Sequence, residues 1–178
     1  MNEPVKQPVN LKQLLAESRI EPEPSVPYPQ AKDLDKVIDI VTNFHSAGLS
    51  NKPTIAEFFE FDERQGDYYL NAGYYLGLLT RVPSSVEFSL TREGEYIAKS
   101  ENRSRRNLLL LKQLLKRPSF HEIISRFDSS CRDLSSLSVE VLAPIIQKHT
   151  GLSGTTPGRR ASTVMSWLRW MVAGMEFE

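Results

Sequence analysis

Apolar and polar positions alternate along this chain in three regimes. From Asp33 onward, Leu34, Val37, Ile38, Val41 and Phe44 recur at steps of three and four, which predicts an amphipathic helix stopped at Gly48. A short helix follows over Pro53–Phe59, capped by Thr54 or by the loop before it. A third helix opens at Asp62, with Gln65 in capping-box position and Tyr68, Tyr69, Ala72, Tyr75 and Leu76 at helical spacing before Gly77. The period then changes to two. Leu78–Val82 and Val86–Leu90, parted by Pro83-Ser84-Ser85, read as a hairpin, and Thr91 caps a further helix. Helix, short helix, helix, hairpin, helix is the winged-helix order.

The second half returns to helical spacing throughout. Leu108–Leu115, Phe120–Phe127, Val139–His149 and Pro157–Val172 each carry it, the last with Thr156 as N-cap and Pro157 at the first helical position. No hairpin follows, so the second unit reads as winged-helix-like with its wing truncated. The fold expected is mainly α with a small β-hairpin wing, in tandem helix-turn-helix units spanning 33–101 and 102–178. Residues 1–32 hold six of the eleven prolines and read as an extended arm or linker. Within it Leu11, Leu14 and Leu15 share one face of a short helix, either a frayed turn or a peptide that docks on a partner.

Composition narrows the function classes. No run is long and apolar enough for a membrane span, the first residues lack a signal-peptide pattern, and a lone Cys131 fits a reducing compartment, so a cytoplasmic protein with no membrane partner is expected. Net charge is zero, but residues 1–91 hold 8 basic and 13 acidic side chains and residues 92–178 hold 14 and 9. An anionic partner is expected to meet the second half.

Enzyme chemistry finds few candidates. None of the nine lysines follows an acid by two positions, as a metal-dependent nuclease motif would require, and His45, His121, His149 and Cys131 are scattered singly. Asp62, Glu63 and Asp67 suit a helix N-terminus better than a metal. No catalytic residue, metal or cofactor is expected.

Binding chemistry concentrates on the last predicted helix. Its apolar positions Ala161, Val164, Met165, Leu168, Met171 and Val172 leave Arg159, Ser162, Thr163, Ser166 and Arg169 opposite, and no acid lies between Glu140 and Glu176. Arg159, Arg160, Ser162, Thr163 and Ser166 are expected to face a DNA major groove, the alternative being a solvated helix face. Arg103, Arg105, Arg106 and Arg169 are expected to hold phosphates. Lys112, Lys116 and Arg117 continue the second basic run, which equally suits a solvated linker and helix end. In the first unit Arg64 would read guanine and Gln65 and Asn71 adenine if that helix were inserted, although Glu63 and Asp67 oppose it; protein contact or dimerisation suits the same surface.

Ile55-Ala56-Glu57-Phe58-Phe59-Glu60-Phe61-Asp62-Glu63-Arg64-Gln65-Gly66-Asp67-Tyr68-Tyr69, then Tyr75-Leu76-Gly77-Leu78-Leu79 and Leu90-Thr91-Arg92-Glu93-Gly94, resembles the winged-helix segments of bacterial restriction-modification proteins and related nuclease-like proteins. Arg159–Trp170 resembles the closing helix of the same tandem module. The resemblance implies recognition of duplex DNA, with cleavage performed elsewhere, since no nuclease segment is present. It places the chain as a stand-alone specificity subunit or a regulator; apart from the resemblance, a nuclease or other protein subunit and a second copy of the chain are the protein partners expected. A winged-helix adaptor that binds protein is the competing expectation.

Overall fold

The computed structural model describes residues 8–178. It divides into two compact units: a continuous one, Pro24–Ser100, and a split one in which Glu101–Glu178 is joined by the chain up to Glu23. The first element, α1 (Leu11–Glu17), belongs to the split unit.

In the continuous unit the caps that the sequence offers are used. Asp33 opens α2 (Leu34–Asn43) by accepting from Asp35 N at 3.0 Å, and the helix buries Leu34, Val37, Ile38, Ile40 and Val41. A reciprocal box between Asn51 and Thr54 starts α3 (Lys52–Phe59), so the cap is Asn51 with Thr54 as its return partner. Asp62 accepts from Gln65 N to start α4 (Glu63–Tyr75). At its far end Gly77, with φ of 74°, lets its own N–H reach Tyr74 O and that of Leu78 reach Gly73 O, a Schellman closure only a residue tolerant of the left-handed region makes cheaply.

The closure turns the chain directly into β1 (Leu79–Arg81), which pairs antiparallel with β2 (Phe88–Leu90) in the register Leu79 to Leu90. Phe88 N also donates to Ser50 O at 2.6 Å, tying β2 to the segment between α2 and α3. Thr91 then starts α5 (Arg92–Lys99) with a doubly used hydroxyl, which accepts from Gly94 N and donates to Gly77 O. The helix seats a fully buried Ile97 against this core.

The split unit is helical: α6 (Arg103–Leu115), α7 (Pro118–Ser129), a 3-10 turn at Leu134–Ser136, α8 (Val139–Thr150) and α9 (Thr156–Gly174). Its core centres on Trp167, wholly buried and stacked on Phe120 with ring centroids 5.3 Å apart. Two boundaries differ from expectation. Helix α6 starts at Arg103 because Asn102 caps it by accepting from Arg105 N, a polar first turn that apolar periodicity does not reveal. Helix α9 takes in Thr156, and the flanking Thr155 makes no side-chain cap bond.

The proline-rich segment is not an extended arm over its described length. Leu11 of α1 is fully buried and α1 packs on α6 and α7, so the short amphipathic helix docks on its own chain. Val9 exchanges backbone bonds with Glu176 and Glu178. Glu21 N donates to Lys116 O at 2.9 Å, and Glu23 accepts from Ser119 N at 2.9 Å, supplying the cap that Arg117 does not give α7. Residues after Pro24 pack on the continuous unit, where Tyr28 is buried edge-on to Tyr75 at 5.4 Å. Prolines fix φ without preventing the side chains between them from being buried. The part of the arm before Pro8 lies outside the described residues.

Candidate nucleic-acid interface

The side chains of α9 are sorted by which way the helix is turned, and Trp167 sets that turn. Burying the indole brings Thr163, one turn before it, inward as well, while Met165 and Val172 swing toward solvent. Thr163 is 3% exposed and does not share the face of Arg159. Arg160 is half-buried, with its Nε enclosed by protein. Arg159, Ser162 and Arg169 remain exposed, with Ser166 half-buried between them, a stripe at steps of three, four and three along about 15 Å of helix. Arg159 and Arg169 make no side-chain ion pair or hydrogen bond among the described residues. Ser162 Oγ donates to Arg159 O and Ser166 Oγ to Ser162 O, both at 3.1 Å, so each hydroxyl oxygen keeps acceptor capacity toward solvent.

Arg159 is set apart from the point where α9 meets α6. A Cβ at Gly174 would stand 3.0 Å from Asn107 Nδ2, so the end of α9 meets the first half of α6. Arg159 lies near the other end of α9, about 22 Å away along the axis. There Val139 approaches Gly158, which brings the start of α8, including the exposed Glu140, beside the start of α9. Arg103 and Arg105 are exposed, whereas the Nε of Arg106 is enclosed.

Arg105 and Lys112 line a groove of about 610 Å³ with Leu108, facing Gln13, Leu14 and Glu17 of α1. In sequence these cations belong to one basic run with Arg103 and Arg106; the steps of three and four from Arg105 through Leu108 to Lys112 are the signal that puts the three on one helical face.

In the continuous unit Arg64 and Gln65 are exposed at the start of α4, but Glu63 and Asp67 are exposed beside them. Arg64 Nε donates to Tyr68 Oη at 2.6 Å and its guanidinium lies over that ring, so it is occupied locally. Asn71 is 7% exposed and bonded to Asp67, which removes it as a base reader.

The scattered histidines have local partners: His45 bonds Glu95 at 2.8 Å, His121 bonds Leu15 O at 3.0 Å, and His149 bonds Glu122 at 3.2 Å. Among the described residues no group of three or more His, Cys, Asp or Glu could hold a metal ion. No described helix is long and apolar enough to cross a membrane.

Residues 36–176 match the model of a family described as a domain of unknown function, DUF7226. The chain belongs to that family. No curated protein and no solved structure matches it. The DUF7226 match spans α3 through α9 and most of α2, so the α9 stripe lies within it and α1 does not.

One ionisable group in this DUF7226 chain has a clear linkage to stability. The Glu122 carboxylate accepts from Lys148 Nζ at 2.5 Å and from His149, contacts that hold it below the usual carboxylate range against a smaller opposing effect of burial. A depressed native value means that its stabilisation is fully present above the unfolded value and lost as pH falls through the native one. Glu122→Gln is therefore expected to lower the urea midpoint at neutral pH and to flatten its decline on acidification below about pH 4. Equal declines for both proteins would contradict the assignment.

Proposed function

We propose that this DUF7226 chain is a non-catalytic double-stranded DNA-binding protein in which α9 addresses the major groove. The observation that carries the reading is the acid-free stripe of exposed Arg159, Ser162 and Arg169, with half-buried Ser166 between them, on the longest helix of the split unit. Arginines at its two ends suit phosphates or guanine edges, and the small hydroxyl side chains between them allow close approach to base edges. Helix α8, the short link and α9 supply the two helices of a helix-turn-helix.

Support also comes from the continuous unit. Its order α2, α3, α4, β1, β2, α5 is that of a winged helix, and the bond from Phe88 N to Ser50 O extends the hairpin toward the segment between the first two helices. As the sequence resemblance implies, the protein acts as a specificity or regulatory component of a restriction-type defence system. Cleavage belongs to a separate nuclease or other protein subunit, and the reading assigns no reaction, metal or cofactor to this chain. A homodimer would present two α9 helices to one duplex. Its place is the cytoplasm, where DNA is accessible.

Replacing Arg159 and Arg169 with alanine is expected to weaken duplex binding and to reduce the slope of log K against log salt by about 1.8, or 0.9 for each phosphate contact removed. Fluorescence anisotropy with a labelled random duplex at several salt concentrations measures it. An unchanged slope would end the reading.

A second reading, a protein-interaction module, is favoured by the exposed Glu63 and Asp67 on α4 and by the 39% exposed Phe58 beside them in sequence on α3. It predicts no duplex binding at low salt and a stoichiometric protein complex that is lost on Phe58→Ser.

A further inference from the structure

We propose that the groove between α1 and α6 seats an acidic amphipathic helix of a partner protein. Both walls lie in the split unit. Helix α6 contributes Arg105, Leu108 and Lys112 on successive turns of one face, and the two cations are exposed with no side-chain ion pair or hydrogen bond among the described residues. Helix α1 contributes Leu14 to the floor and Gln13 and Glu17 to the opposite rim, where Glu17 accepts from Gln13 Nε2 at 2.8 Å.

The dimensions and charges select the occupant. The groove is about 610 Å³, and between the two cations its α6 wall presents the apolar Leu108, facing Leu14 of α1. Acidic side chains flanking an apolar stripe on one helix face match that pattern. Arg105 and Lys112 are seven residues apart, about 10.5 Å along the axis, the separation of two carboxylates at i and i+7 of a docked helix. Apolar side chains at i+3 and i+4 of the same helix then fall on Leu108 and Leu14. Glu17 on the far rim favours a lysine or arginine on the partner's other edge and so fixes its orientation. Arg105 and Lys112 flank the apolar Leu108, which a peptide with apolar side chains between its carboxylates covers and a phosphate backbone leaves uncovered, so these cations suit a peptide better than DNA.

The inference does not depend on the DNA reading. The probe is a fluorescein-labelled amphipathic peptide with Glu at i and i+7, Leu at i+3 and i+4, and Lys on the opposite edge, titrated against the full chain. Saturable binding is expected, weakened about tenfold or more by Arg105→Glu with Lys112→Glu. A peptide with Lys at i and i+7 should recover it. Circular dichroism checks that the reversed protein is folded, and Arg105→Ala with Lys112→Ala serves in its place if it is not. Arg159→Ala with Arg169→Ala should leave peptide binding unchanged whether or not it alters duplex binding. Absence of saturable binding to the unaltered chain would overturn the proposal, as would equal binding by the reversed protein. Loss of duplex affinity on reversal, with no peptide binding, would overturn it in favour of a nucleic-acid role for these cations.

Discussion

Trp167→Ala is expected to destabilise the split unit by about 3–5 kcal/mol, the range for emptying the place of a large aromatic in a packed core. The indole is wholly buried, and its stacking on Phe120 joins α9 to α7 across the centre of the unit. Neither helix is free to close over the void. Helix α9 also packs on α8, and the start of α7 is tied by Glu23 and by the backbone bond of Glu21 to Lys116. The cavity term therefore adds to the lost transfer free energy. Urea unfolding followed by the fluorescence of the remaining Trp170 measures the effect, since both tryptophans of the chain lie in α9. A loss under about 1 kcal/mol would show that the core relaxes far more than these contacts allow.

Gly94→Ala should be comparably severe for the continuous unit, at about 3 kcal/mol or more, the upper end of overpacking costs. The added methyl would collide with the carbonyl oxygen of Leu78. That oxygen is backbone and accepts from Thr91 N at 2.9 Å, while Thr91 Oγ1 is committed to both Gly94 N and Gly77 O. Relief requires moving the whole first turn of α5 away from the end of α4. Gly158→Ala is the matched contrast. Its methyl would meet only Val139, at an ordinary 3.7 Å, within the first turns of α9, and the replacement should gain up to about 1 kcal/mol from helix propensity. Near-ultraviolet dichroism from the tyrosines of α4 follows the first variant and fluorescence from Trp167 and Trp170 the second. Equal signs would contradict the packing described.

The two glycines show what kind of information the residue order carries. Gly77 and Asp62, and Thr91 in its bond to Gly94 N, act through residues close in sequence, and those roles as stop and caps are readable directly. The collision at Gly94 involves a carbonyl sixteen positions away, which no local pattern marks. The candidate interface divides in the same manner. Arg159, Ser162, Ser166 and Arg169 follow from periodicity and from the absence of acids. Periodicity centres the core face on Val164 and Leu168 and so leaves Thr163 outside, whereas the bulk of Trp167 turns that face toward Thr163 and Arg160. The distance of Arg159 from the point where α9 meets α6 depends on how two helices cross, and spacing along one helix does not contain it. The prolines before residue 30 pointed to an extended arm, while Leu11, Tyr28 and Ala31, all buried, decided otherwise.

The split unit also constrains how the protein can be made. During synthesis α1 leaves the ribosome before the surface that receives Leu11 exists, and all of residues 24–100 must follow before α6 and α7 appear. Until then Leu11, Leu14 and Leu15 are exposed on a nascent chain whose continuous unit is already free to fold. Closing so long a loop costs little more than closing a short one, because the entropic penalty rises only logarithmically with length. A fragment cut to the family's limits, 36–176, would emerge without that leucine helix or the Glu23 cap of α7, and its C-terminal half would meet chaperones with an open apolar seat.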